Sequence, residues 1–316
     1  MSRSTLTPDP RPLTPDLSVT IGSLRLKNPV LVASGTFGYG TEYAGLVDLS
    51  RLGGIVTKTL TPEAWPGNDP PRAAETAAGM LNSIGLQNVG VEGFIRDKLP
   101  YLQTVDTAVI VNIGGGPIEE FVAVAERLAD CDGIDGIEVN MSCPNVAGGM
   151  DFSTDPRRAA QLITRLRKVV DLPLIAKLTP NVTDIGEIAR SVEEAGADAV
   201  SAINTLRGMA IDVKTRRPKL GGITGGLSGP AIKPVAVAAV WSIARRVTIP
   251  IIGIGGIMST EDALEFLIAG AAAIQVGTAN FVNPKTGTDI VAGLDTYCAQ
   301  EGITSIRSLI GSARVP

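Results

Sequence analysis

The stretch Gly136-Ile137-Glu138-Val139-Asn140-Met141-Ser142-Cys143-Pro144-Asn145 sets the pattern on which the chain is built. A short apolar run ends on Asn140. It reads as a buried strand delivering a polar residue at its C-terminal end. Three residues on, Cys143 stands before a proline, in a loop that reaches Gly148-Gly149. That thiol has three candidate roles: base, nucleophile or bystander.

Working outward, the same pattern recurs. Short buried strands are expected at Val30–Ala33, Gly54–Thr57, Ala108–Ile113, Gly136–Asn140, Leu174–Lys177, Ala199–Ile203, Ile251–Gly253 and Ala273–Val276. Helices are expected at Glu42–Leu49, Val89–Leu102, Ile118–Ala129, Pro156–Val170, Asp184–Ala195, Ile232–Val247, Thr260–Ala269 and Asp289–Gln300. Continuous apolar strands separated by helices imply a parallel sheet covered on both faces. Roughly eight βα units favour a closed (β/α)8 TIM barrel over an open flavodoxin-like sheet. Before the barrel, residues 17–27 alternate around Ile21-Gly22-Ser23 and read as a β-hairpin. The connections Lys58–Asn88 and Asn204–Pro230 are too long for plain loops, and such βα loops build the active site of a barrel. Residues 1–16, rich in Pro, Ser and Thr, read as a disordered leader, leaving 17–316 as one domain.

Composition removes several functions. The chain has no histidine, so triads and zinc sites built on histidine are excluded. Cys131, Cys143 and Cys298 are scattered and suit neither an iron–sulfur cluster nor a disulfide framework. The net charge of −4 offers no footprint for nucleic acid. No apolar run approaches membrane-spanning length, and the expected location is the cytoplasm.

The ends of the strands carry the chemistry. In order they present Ser34, then Lys58 and Thr59, Asn112, Asn140, Lys177, Asn204 and Thr205, Gly255-Gly256, and Gly277-Thr278. A single asparagine after a strand is ordinarily a turn former. A whole rim of amides, lysines and glycines points to a ligand, because that face is where such barrels do chemistry. Backbone N–H groups at Gly255-Gly256 and Gly277-Thr278 suit a phosphate. Lys177 ends an apolar strand and should point into the mouth, where a buried ammonium needs an anionic partner. Asn82, Asn140 and Asn204 match the alternating donors and acceptors of a cyclic amide.

The motifs Asn140-Met141-Ser142-Cys143-Pro144-Asn145, Asn82-Ser83-Ile84-Gly85-Leu86-Gln87-Asn88, Lys177-Leu178-Thr179-Pro180-Asn181 and Gly226-Leu227-Ser228-Gly229-Pro230 resemble those of dihydroorotate dehydrogenases. The resemblance runs from about Leu17 to the C-terminus. It implies an FMN-binding (β/α)8 barrel that oxidises dihydroorotate to orotate in pyrimidine biosynthesis. Carried over by motif, FMN would contact Ser34, Lys58, Thr59, Asn112, Asn140, Lys177, Ile203, Gly229, Gly255, Gly256, Gly277 and Thr278. Substrate would contact Lys58, Asn82, Ser83, Ile84, Gly85, Leu86, Asn140, Asn204 and Thr205. Cys143 would be the catalytic base. The loop Cys143-Pro144-Asn145-Val146-Ala147-Gly148-Gly149 and the stretch Leu206–Asp212 resemble the NAD-linked type. Such a chain forms a homodimer, or a heterotetramer with a subunit carrying FAD and a 2Fe–2S cluster. The alternatives are a fumarate-using homodimer, a flavin-free phosphate-binding barrel enzyme and a pyrimidine-sensing barrel. The run Ile113-Gly114-Gly115-Gly116 is unusually glycine-rich for this resemblance.

Overall fold

The computed structural model describes residues 14–142 and 152–315. Its eight central strands are Val30–Val32, Gly54–Val56, Ala108–Ile113, Gly136–Asn140, Leu174–Leu178, Ala199–Ala202, Ile251–Ile254 and Ala273–Val276. They pair in chain order, all parallel, and the last pairs with the first to close a barrel. Nearly every residue in these strands is buried, which explains the unbroken apolar runs. The (β/α)8 architecture expected from the sequence is the one found.

Side chains alternate along a strand, so every second residue faces the barrel interior. The register places Asn112 opposite Glu138, Asn140 opposite Lys177, and Lys177 opposite Ser201. These five therefore face inward together.

The helices outside the barrel begin where side chains can satisfy their free amides. Asp155 caps Pro156–Arg167, and Asp184 caps Ile185–Glu194. Ser259 and Asp262 form a reciprocal capping box on Thr260–Ala269. Most expected helices stand within a few residues of their expected ends, but Glu42–Leu49 does not. It is replaced by two 3-10 turns, Thr41–Tyr43 and Leu49–Arg51. The Glu42 carboxylate turns back to accept from the Tyr39 amide at 2.9 Å. Asp48 is extended and caps the second turn, which ends any continuous helix.

At the N-terminal end of the barrel, Val19–Ile21 and Leu24–Leu26 form the expected antiparallel hairpin. Its turn at Gly22 sits against Asp198, just before the sixth strand. Asp16, assigned on sequence to the leader, is tied to the C-terminal segment. Its amide donates to the Thr304 carbonyl, and its carboxylate meets Arg307 at 2.7 Å. At the other end, the two long connections build a four-stranded antiparallel sheet that the sequence pattern did not reveal. It consists of Ala73–Thr76, Gly79–Asn82, Gly225–Ser228 and Leu206–Gly208. The sheet roofs the barrel mouth. Among the described residues, no helix is long and apolar enough to cross a membrane.

Candidate active site

At the centre of the barrel lies a carboxylate. Glu138 is 0% exposed, and four of the barrel's strands supply it with donors. Asn112 Nδ2 donates to Oε1 at 2.6 Å, and Lys177 Nζ reaches the same oxygen at 3.3 Å. Ser201 Oγ and Gln275 Nε2 donate to Oε2 at 2.9 and 2.7 Å. A buried carboxylate is tolerable only with a counter-charge and satisfied lone pairs, and this one has both. The sequence reading passed over Glu138. Its signal was there: an acidic residue within an apolar strand, two positions before Asn140 and so on the same face.

Lys58 ends the second strand and shares the floor of the mouth with Lys177. Burial, and then the positive charge of Lys177, push its ammonium down from the usual 10.5 to about 8. Between those values the unfolded chain holds the Lys58 proton and the folded chain does not, so stability contributed here rises with pH. Below about 8 the charge is a cost of up to about 3 kcal/mol. Lys58→Met should therefore stabilise the flavin-free chain near neutrality and flatten the rise in stability toward pH 10.5. Thermal unfolding of both proteins across that range checks this, and identical pH profiles would disprove it.

Above the floor, Asn204 links two strand ends. Its Nδ2 donates to Asn140 Oδ1 at 3.2 Å and to Ser142 Oγ at 2.6 Å. Asn181 bonds Thr179 and the Thr205 carbonyl, holding the sixth connection close to the fifth. A deep cleft runs between this floor and the roof sheet, which contributes Ala73, Met80, Asn82, Gly226 and Ser228.

The cleft gathers most of the residues singled out from sequence. Ser34, Lys58, Thr59, Asn140, Lys177, Ile203, Gly229, Gly255, Gly256, Gly277 and Thr278 line it. So do Asn82, Ile84, Gly85, Leu86, Asn204 and Thr205. Two candidates stand behind its wall. Ser83 is buried against Asn68, whose Nδ2 donates to its hydroxyl. Asn112 is turned toward Glu138. Ser142, Thr179, Asn181 and Ser228 also line the cleft and were not singled out. Cys143 lies outside the described residues.

The family model for dihydroorotate dehydrogenase matches residues 16–297. The chain belongs to the dihydroorotate dehydrogenase family. Its relatives agree along nearly the whole chain. It is 54% identical over 302 residues to a protein of Geotalea daltonii named the catalytic subunit of dihydroorotate dehydrogenase B (NAD(+)), covering 95% of this chain and 99% of the relative. Proteins of the same name from Geobacter metallireducens and Desulforamulus reducens are 53% and 54% identical, over 302 and 301 residues. The oxidoreductase activity implied by the motifs thus stands with the barrel.

In this member of the family the turns after the seventh and eighth strands face the cleft. Among the described residues, the amides of Gly255, Gly256 and Gly277 have no hydrogen-bond partner. Gly256 has φ +74°, and a Cβ there would stand 2.8 Å from the Gly229 carbonyl oxygen. The glycine-rich turn after the third strand also has a steric reason. A Cβ on Gly114 would meet Thr59 Cγ2 at 2.7 Å, beside Asn140 and Leu86. Among the described residues, two buried acceptors below the mouth, Asn112 Oδ1 and Gln275 Oε1, have no hydrogen-bond partner. No cluster of His, Cys, Asp and Glu suited to a metal occurs among the described residues.

Proposed function

We propose that the chain oxidises dihydroorotate to orotate with FMN held across the barrel mouth, and passes the electrons to NAD+ through a partner subunit. The observation that carries the reading is a cleft with a paired ammonium, Lys177, on its floor and free glycine amides at its edge. A flavin mononucleotide needs both: donors for its phosphate, and a cation where the ring gains negative charge on reduction. When bound, FMN supplies the hydride acceptor.

The chain's own residues do the rest. Gly255, Gly256, Gly277 and Thr278 bind the phosphate, and Ser34, Thr59, Ile203 and Gly229 border the ring. Lys177 and Asn140 meet its polar edge. Asn112 does so through Oδ1, which has no partner among the described residues, while its Nδ2 stays on Glu138. Asn82, Asn140, Asn204 and Thr205 orient the cyclic amide of the substrate, with Lys58 and the Ser83–Leu86 segment beside it. The roof sheet over the cleft excludes water. Cys143 removes the proton from C5 of dihydroorotate as hydride leaves C6.

The colour of the purified protein and its bleaching by dihydroorotate test this reading. A colourless preparation, or a flavin that dihydroorotate leaves oxidised, overturns it. Gly256→Ala forces a side chain into a left-handed conformation, a strain of roughly 1–2 kcal/mol, and into the Gly229 carbonyl. It should weaken FMN binding by about tenfold or more, measured by quenching of flavin fluorescence; unchanged affinity would remove this turn from the phosphate site.

The acceptor follows from the relatives, which are named as NAD(+)-linked catalytic subunits. The proposed assembly is a cytoplasmic homodimer, or a heterotetramer with a subunit carrying FAD and a 2Fe–2S cluster. Co-purification with such a subunit supports it. Rapid turnover of the isolated chain with fumarate would displace it in favour of a fumarate-using homodimer.

A further inference from the structure

We propose that Glu138 is a positioning residue that holds the charge and the place of the Lys177 ammonium before any electron arrives. The proposal rests on the flavin reading of the cleft and adds to it a residue that does not itself line the cleft.

The geometry argues for a purpose beyond closing the barrel. Glu138 has no exposed surface, and its carboxylate takes donors from the third, fifth, sixth and eighth strands. Three of those donors are neutral, and only Lys177 carries charge. Lys177 is the member of the cluster that also faces the cleft, at 7% exposure. A buried ion pair is weak support for a fold, because an apolar pair of similar volume is often as stable. It does fix where a charge sits. Lys58 also lies close enough to interact with Lys177, and it repels it. Without Glu138, burial and Lys58 would both favour a neutral amine at Lys177.

This gives Glu138 a measurable consequence. In wild type the Glu138 carboxylate pairs with the Lys177 ammonium, so two electrons entering the flavin bring one proton. In Glu138→Gln the amine gives up its proton at lower pH, and where it is neutral the negative charge gained by the flavin draws a second proton onto it. The measurement is the pH dependence of the two-electron midpoint potential from neutrality to about pH 10, with dithionite as reductant and a reference dye. It needs no substrate turnover. The proton count is expected to rise from one toward two at lower pH in Glu138→Gln than in wild type. Adding Lys177→Met to Glu138→Gln should abolish that early rise. A count in flavin-loaded Glu138→Gln that follows the wild-type count at every pH overturns the proposal and leaves the flavin reading intact. A wild-type chain that holds no flavin overturns both.

Should Glu138→Gln give no folded protein, the double variant decides. A folded Glu138→Gln/Lys177→Met chain assigns the failure to the Lys177 amine left without its carboxylate partner and supports the proposal. A double variant equally unfolded shows that Glu138 serves the barrel through its neutral donors, and overturns it.

Discussion

Lys177→Ala is expected to destabilise the flavin-free chain by about 3–5 kcal/mol, among the largest effects of any single substitution. The substitution leaves the Glu138 carboxylate in the centre of the barrel with no counter-charge. Asn112, Ser201 and Gln275 still donate to it, but neutral donors do not replace a cation. Adding Glu138→Gln should recover most of the loss, because the remaining cluster is then neutral. Chemical denaturation of the single and double variants measures both effects. A Lys177→Ala chain as stable as wild type would mean that the buried pair contributes no net charge compensation.

Cys143→Ser should slow reduction of the flavin by dihydroorotate by about 10²–10⁴-fold near pH 7, the range for loss of a general base. A free thiol ionises near pH 8.5, whereas a serine hydroxyl stays protonated through the accessible range. The chain has no histidine to take over the proton. The wild-type rate should climb with pH until the thiol is ionised, and the serine variant should lack that limb. Stopped-flow reduction at several pH values checks both features. Equal rates near neutrality would remove Cys143 from the role of base.

The contrast between Lys177 and Glu138 shows what can be read along a chain. Lys177 was legible because it ends an apolar strand, where a charge has few innocent explanations. Glu138 lies inside its strand, where its place two positions before Asn140 marks an inward-facing carboxylate but does not name the partners that make it tolerable. For Ser83 and Asn112 the segment was legible and the side-chain partner was not. Both belong to segments that shape the cleft, yet Ser83 packs behind it on Asn68 and Asn112 turns to Glu138. The helix expected at Glu42–Leu49 failed because the Glu42 carboxylate and the Asp48 cap hold the backbone in two separate turns.

The sequence by itself determined the eight strands, their order around the barrel and the polar residues at their ends. These follow from local periodicity, and a buried parallel strand signals itself within a handful of residues. Only the tertiary structure decided what Asn140 and its strand deliver to the mouth. Glu138 meets Asn112 from 26 residues away and Gln275 from 137 residues away. Asn112 stands on the neighbouring strand, but Gln275 reaches Glu138 only when the last strand closes on the first. The roof sheet likewise pairs Asn82 with Gly226 across 144 residues. Its strands are short and rich in glycine and alanine, so they carry no strand signal until they have each other to bond.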